Sequence, residues 1–347
     1  MPTANTITTA RQSWIDYAKG IAIILVVYRH MLFGLQNGGL VVPQWIVDGN
    51  NALFSFRMPL FFALSGLFFR AGLRKRGPAG FLANKVNTLL YPYLLWAVIQ
   101  ITLQIVFARY ANAHRSWHSY LDIFVQPRAL DQLWYLFALF NVTALYLFTS
   151  VVLKCNDRLQ LFTGLCLLAL APLVVQMSAC YDICLHYVFF AAGCLAAPLL
   201  MQEQVQERLA SGAGLLLLLP LFVLSQWYFL YHQQMNLYLY ALIALAGSLF
   251  MVMLSAWLAR YRVLRWLTAI GHYSLYIYLL HVMLASMIRY ALLKSDLLSN
   301  VPLLLLVLIG TSIPLSVLVY KTCIQLKLGF LFKGPLPAKR IAYTVNV

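Results

Sequence analysis

Carboxylates are scarce in this chain of 347 residues, where nine Asp and Glu stand against 25 Lys and Arg. Charge of either sign is rare as well: only 10% of residues are charged, against about a quarter in a soluble domain. With 63% hydrophobic residues and a mean hydropathy of +0.80, that deficit excludes an ordinary soluble fold and predicts a polytopic membrane protein. The six cysteines (Cys155, Cys166, Cys180, Cys184, Cys194 and Cys323) form no CxxC and no Cys/His pair at zinc spacing, so neither a metal nor a bound cofactor is expected. Cys180 and Cys184 are spaced to pair at a helix end, but small apolar filler is the simpler reading. No soluble segment clusters Lys and Arg on one face, so the net charge of +16 is no nucleic-acid footprint. No Ser-His-acid order, short-period repeat, inverted repeat or low-complexity tract stands out. No cleavable leader is expected either: the first dozen residues are polar, and the first apolar run is long enough to span.

What is abundant is apolar length. Runs of the size that crosses a bilayer fall near 16–36, 51–70, 86–107, 132–153, 159–177, 184–201, 213–231, 237–258, 267–288 and 301–325. The expectation is an all-α integral membrane protein: one domain over 1–347, a bundle of about ten transmembrane helices. Most connections are short, so consecutive helices should be antiparallel neighbours. The longest, about 108–131, is polar enough to leave the membrane and to carry a short surface helix.

The cations choose a side. One set of loops holds Arg11, Arg70, Arg74, Lys75, Arg76, Lys85, Lys154, Arg158, Arg208, Arg260, Arg262, Arg265, Lys321, Lys327, Lys333, Lys339 and Arg340, which is 17 residues. The opposite set holds five: Arg109, Arg115, Arg128, Arg289 and Lys294. That asymmetry predicts cytoplasmic termini, with the 108–131 loop outside.

Against this background a few ionisable residues stand inside apolar runs: Lys19, Arg29 and His30 in the first, Arg57 in the second, His281 in the ninth. Charge at membrane depth costs about 2.5–3.5 kcal/mol per residue even on lenient scales, and such residues usually face a protein interior or a watery cavity. At 1.5 Å per helical residue, His30 and His281 each lie roughly 21 Å from the inner edge, and Arg57 lies roughly 10 Å below the outer one. In a core near 30 Å these depths coincide. Lys19 and His30 are 11 residues apart, almost three whole turns, so they share a face with about 16 Å between them. Arg29 points about 100° away and needs different partners. Ser13 and Asp16 have the spacing of a capping box at the helix entry.

Plainer readings exist for most of these residues. A lysine at a helix end snorkels. Arg29 can cap carbonyls of a neighbouring helix, and buried histidines can be neutral, hydrogen-bonded glue between helices. Arg57 fits such readings least. Its guanidinium stays charged and needs a buried acceptor or a pore, and the acids lie at helix ends or in loops. An uncompensated basic cavity invites an anionic ligand.

At these residues the sequence resembles the membrane acyltransferase 3 family. IDYAKGIAIILVVYRH, ending at His30, resembles the first-helix signature of a basic residue, ten intervening residues and a histidine. FRMPLFFALSGLFF (56–69), LLYPYLLW (89–96), LWYLFALF (133–140) and GHYSLYIYLLH (271–281) resemble the family's later motifs, in order. The departures are Lys19 where most members carry Arg, which resembles the exopolysaccharide and sugar O-acetylases, and Arg29 directly before the histidine. The resemblance implies transfer of an acyl group, acetyl foremost, from cytoplasmic acyl-CoA as co-substrate to a hydroxyl of an envelope or extracellular carbohydrate or glycan-lipid. Taken with the depth and charge of these residues, the expected site is a catalytic pair, His30 and Arg57, with Lys19, Arg29, Trp134 and His281 binding donor or substrate. A bacterial inner membrane would be the setting and the lipid bilayer a partner. A neutral His30 would act as general base, Arg57 would hold the developing oxyanion, and the basic inner mouth would hold the phosphates of the donor. The competing class is a transporter or flippase for an anionic or glycan-lipid substrate, which ten helices and a basic midplane pocket also suit. A non-catalytic scaffold would leave Arg57 and the layered histidines unexplained.

Overall fold

The computed structural model describes residues 13–108, 115–294 and 300–337. Arg11, Arg109, Lys339 and Arg340, the chain ends whose side was expected and the first part of the long loop lie outside the described residues. Fourteen α-helices follow in order: α1 Ser13–Asn37, α2 Gln44–Ala52, α3 Arg57–Leu67, α4 Phe69–Lys85, α5 Tyr91–Val106, α6 Trp134–Val151, α7 Asp157–Leu170, α8 Ser178–Leu200, α9 Glu203–Leu209, α10 Gly212–Tyr231, α11 Leu237–Tyr261, α12 Trp266–His272, α13 Ser274–Lys294 and α14 Val301–Gln325. Among the described residues no strand occurs, and nine helical stretches are long and apolar enough to cross a membrane. The chain is an all-α integral membrane protein.

Most expected spans coincide with observed helices because unbroken apolar length forces the backbone to satisfy its own hydrogen bonds. The second departs. Where one helix over 51–70 was expected, α2 ends at Ala52, four residues turn, and α3 starts at Arg57. At 1.5 Å per residue, the 11 residues of α3 cover about 16 Å, half a bilayer core. The ninth is also interrupted, at Tyr273 between α12 and α13. A π-helical turn, Val86–Leu90, leads into α5 just ahead of Pro92, where a proline lacking its N–H disturbs the regular ladder. The long loop carries two 3-10 helices, Trp117–Ile123 and Pro127–Leu133.

Lipid offers no hydrophobic drive between helices, so small residues that let backbones approach decide the packing. On α3 and α8 they do so reciprocally: a Cβ on Gly66 would sit 2.2 Å from the Phe190 carbonyl oxygen, and one on Gly193 2.0 Å from that of Ala63. The loops rich in cations meet at one end of the bundle. Arg70 pairs with Asp157 at 2.6 Å, Arg260 donates to the Glu207 carbonyl at 3.5 Å, and Lys19 and Lys85 lie within electrostatic reach of each other. The segment after α14 returns to this end, where the Asn87 amide brackets Leu336 through bonds of 2.6 and 2.9 Å. All six cysteines are free, so Cys180 and Cys184 are unpaired.

Candidate active site

Two pins hold α1 and α13 parallel. At one end Gly271, just ahead of α13, lies so close to α1 that a Cβ there would come within 1.8 Å of the Asp16 carbonyl oxygen. At the other, Arg289 Nη1 donates to the Gly34 carbonyl at 2.5 Å, a cation at the helix end that favours one. Between the pins the His30 and His281 rings meet edge to face, centroids 5.3 Å apart. Equal depth is legible in the sequence; the contact is not.

The two histidines are not equivalent. His281 is fully enclosed, and its Nδ1 lies 2.8 Å from the Ile277 carbonyl oxygen. A carbonyl can only accept, so Nδ1 carries the proton and Nε2 keeps its lone pair. That Nε2 is buried with no hydrogen-bond partner. His30 retains accessible surface. The pair thus offers one reachable imidazole backed by a second whose tautomer is fixed.

Arg57 is 1% exposed, and the break between α2 and α3 supplies its buried acceptors, its own span carrying no acid. Its Nε donates to the Leu53 carbonyl at 2.6 Å and its Nη1 to the Asn50 side-chain oxygen at 2.9 Å, while Nη2 donates to the Asn50 carbonyl. The acceptors are neutral, and two are backbone carbonyls at the C-terminal end of α2, where a cation is favoured. Arg57 therefore has its buried acceptors and clamps the broken span. Its charge still lies within electrostatic reach of His30. Arg29 stands over the Phe33 and Phe54 rings, 4.3 Å from each centroid, a cation-π pairing in place of the carbonyl capping considered for it. Lys19 lies at the opposite end of α1 from Arg29, half-buried, in the neighbourhood of Lys85 and Arg76.

Trp134 opens α6 beside a cluster that hydropathy did not single out. Asp182 lies inside α8 and is fully buried; the expected span began at 184, which left it in a loop. Arg128, counted as an ordinary outer-loop cation, reaches it through Nε at 2.9 Å and Nη2 at 2.5 Å, both to Oδ1. His186, one turn on, bonds the Asp182 carbonyl at 2.9 Å through Nδ1 and stacks on Phe62 at 4.5 Å. The available signal was the spacing of Asp182 and His186, four residues apart in an apolar run. Ring contacts lead from this cluster to the histidine pair. Trp134 and Phe62 both meet His186 and Tyr135, Tyr135 meets Tyr278, and Tyr278 meets His281. Among the described residues, no three His, Cys, Asp or Glu side chains gather as a metal site would need.

Comparison with known proteins gives a family and two relatives. Two curated relatives are both nodulation protein NolL. That of Mesorhizobium japonicum is 31% identical over 97 residues, 28% of this chain and 26% of the relative. That of Sinorhizobium fredii is 26% identical over 201 residues, 56% of this chain and 50% of the relative. The chain thus spans half or less of the length of these relatives. No solved structure matches. The acyltransferase domain described by the family matches residues 12–321, a stretch that contains every motif from the first-helix signature to GHYSLYIYLLH, and the protein belongs to the acyltransferase 3 family.

Proposed function

We propose that this protein is a membrane O-acyltransferase that takes an acyl group, acetyl foremost, from acyl-CoA and esterifies a hydroxyl of an envelope or extracellular carbohydrate or glycan-lipid. The observation that carries the reading is the His30–His281 contact, 5.3 Å between ring centroids, on the helix face that Lys19 shares. Acyl-CoA is polyanionic and cannot cross the bilayer, so it enters where the cations are. Lys19, Lys85 and Arg76 would hold its phosphates by charge-assisted hydrogen bonds. Its long pantetheine arm would then run along α1, over the roughly 16 Å that separate Lys19 from His30.

At His30 the acceptor approaches from the other end. Neutral His30 takes the hydroxyl proton as the oxygen attacks the thioester carbonyl carbon. The tetrahedral oxyanion collapses, the C–S bond breaks, and the coenzyme A thiolate leaves and takes the proton back from the imidazolium. His281, whose Nε2 has no partner in the resting structure, would accept from the His30 imidazolium once it forms, without competing as a donor. The buried charge of Arg57 and the half-buried charge of Arg29, both within electrostatic reach of His30, would favour the developing anion. The setting we propose is a bacterial inner membrane, with the cation-rich end cytoplasmic.

The breaks between α2 and α3 and between α12 and α13 favour the transport reading, since discontinuous helices line the sites of many transporters. Family membership weighs against it. The test is turnover of radiolabelled acetyl-CoA by purified protein in detergent. The enzyme should release coenzyme A slowly even without acceptor, and His30→Gln should lower that rate by at least two orders of magnitude while the protein still elutes as a folded species. A folded His30→Gln protein with near-normal turnover would remove the general base from this account; a wild-type protein that never turns over acetyl-CoA would favour transport.

A further inference from the structure

The Arg128–Asp182 pair is built oddly for a structural tie. A guanidinium and a carboxylate ordinarily match as fork to fork, each nitrogen facing its own oxygen. Here Nε and Nη2 both contact Oδ1, while Oδ2 has no partner although Asp182 is fully buried. Buried polar atoms left in that condition are uncommon in folded proteins. The Arg128 side chain, by contrast, keeps 42% of its surface exposed, with the guanidinium carbon 5.0 Å from the ring centroids of both Trp134 and Tyr181. Trp134 and Tyr181 are themselves half-exposed.

The cluster also has a place. It lies at the end of the bundle opposite Lys19. The run of α6 fixes this, from Trp134 beside His186 down to Tyr146, whose hydroxyl donates to Asp157, itself paired with Arg70 among the clustered cations. Arg128 is within electrostatic reach of Arg29, the neighbour of His30. A ligand here would approach His30 from the side that the donor does not use.

We propose that Arg128, Trp134, Tyr181 and Asp182 form the acceptor subsite, and that its ligand is the hydroxyl-rich ring of a carbohydrate. The indole and phenol rings offer flat apolar faces for the C–H side of a sugar ring. Asp182 Oδ2 is enclosed, so binding shifts the half-exposed Arg128 side chain aside; Oδ2 then accepts from a hydroxyl, and the guanidinium donates to a second oxygen. A lipid tail or other apolar acceptor would have no use for a desolvated carboxylate and would leave Oδ2 unsatisfied. The inference rests on the acyl-transfer reading above and adds which residues select the acceptor.

The test uses the full chain in detergent with radiolabelled acetyl-CoA. Three probes serve as acceptors: the methyl glycosides of glucose, N-acetylglucosamine and galacturonic acid. Label in the glycoside and label released as acetate are counted separately, giving the ratio of transfer to hydrolysis. The paired variant Arg128→Gln with Asp182→Asn removes both charges while keeping two groups able to bond each other. Trp134→Leu is the second variant, at a half-exposed position.

Wild-type protein is expected to label at least one glycoside. Each variant is expected to lower the ratio of transfer to hydrolysis by tenfold or more, with a raised KM for the glycoside. Wild-type hydrolysis without transfer to any probe overturns the carbohydrate subsite, as does a variant whose ratio is unchanged or whose two rates fall in proportion. Wild-type protein that neither hydrolyses nor transfers overturns the acyl-transfer reading, and the subsite with it.

Discussion

Arg57 is the residue on which a structural and a chemical role make different numbers. Its guanidinium reaches Leu53 O, Asn50 Oδ1 and Asn50 O through three different nitrogens. In Arg57→Lys, a single ammonium on a shorter reach can keep about one of these bonds. Hydrogen bonds to a charged group contribute about 1.5–3 kcal/mol each, so losing two should cost about 3–6 kcal/mol. At roughly 2 °C per kcal/mol, the low end for large chains, the melting midpoint should fall by about 6–12 °C. The same preparation is assayed for acetyl-CoA turnover below that midpoint, normalised to the folded fraction. If Arg57 only clamps the break, specific activity survives. If its charge also stabilises the oxyanion, Lys retains part of that effect and Arg57→Met loses it, so activity should fall in the order Arg, Lys, Met. A melting midpoint equal to wild type for Arg57→Lys would refute the clamp outright, because three bonds to a 1%-exposed side chain cannot be exchanged without cost.

Other outcomes follow from the same geometry. Asn50→Ala removes one of the clamp's acceptors and should lower the midpoint by less than Arg57→Lys does; a larger fall would point to a different role for Asn50. Gly193→Ala places a Cβ 2.0 Å from the Ala63 carbonyl oxygen and should destabilise the α3–α8 crossing by about 1–3 kcal/mol; unchanged stability would show that the crossing has slack. Lys19→Ala should raise the KM for acetyl-CoA at low ionic strength, and the difference should shrink as salt screens it; equal KM values at low salt would leave Lys19 as a snorkelling lysine. In a background free of native cysteines, Leu121→Cys should react with an impermeant thiol reagent in intact cells and Lys75→Cys should not, both positions being exposed; the reverse pattern would invert the topology.

Hydropathy and the fixed rise of a helix are one-dimensional quantities, and what they govern was legible in the sequence. The last span was expected at 301–325 and observed at Val301–Gln325. The shared depth of His30 and His281 followed from residue counts, and the motif order followed from the text itself. Sideways relations were decided by the fold alone. Helices apolar on every face carry no stripe that says which neighbour each face meets. In lipid that choice falls to small residues and polar contacts between distant segments, such as Gly271 against Asp16 and Arg289 against Gly34. For that reason the histidine contact at 5.3 Å belongs to the fold, while residue counts reach only as far as a common depth. Arg57 looked uncompensated because its acceptors are backbone carbonyls exposed by a helix break, and no residue type announces a carbonyl. Asp182 passed as a loop carboxylate because its partner, Arg128, is 54 residues away. For residues inside unbroken spans, such as His30, the sequence determined depth, because depth there depends only on length and hydropathy; it left Asp182 outside its span. Which of them touch was settled by tertiary structure, because lateral packing depends on close approach between segments that the linear pattern does not pair.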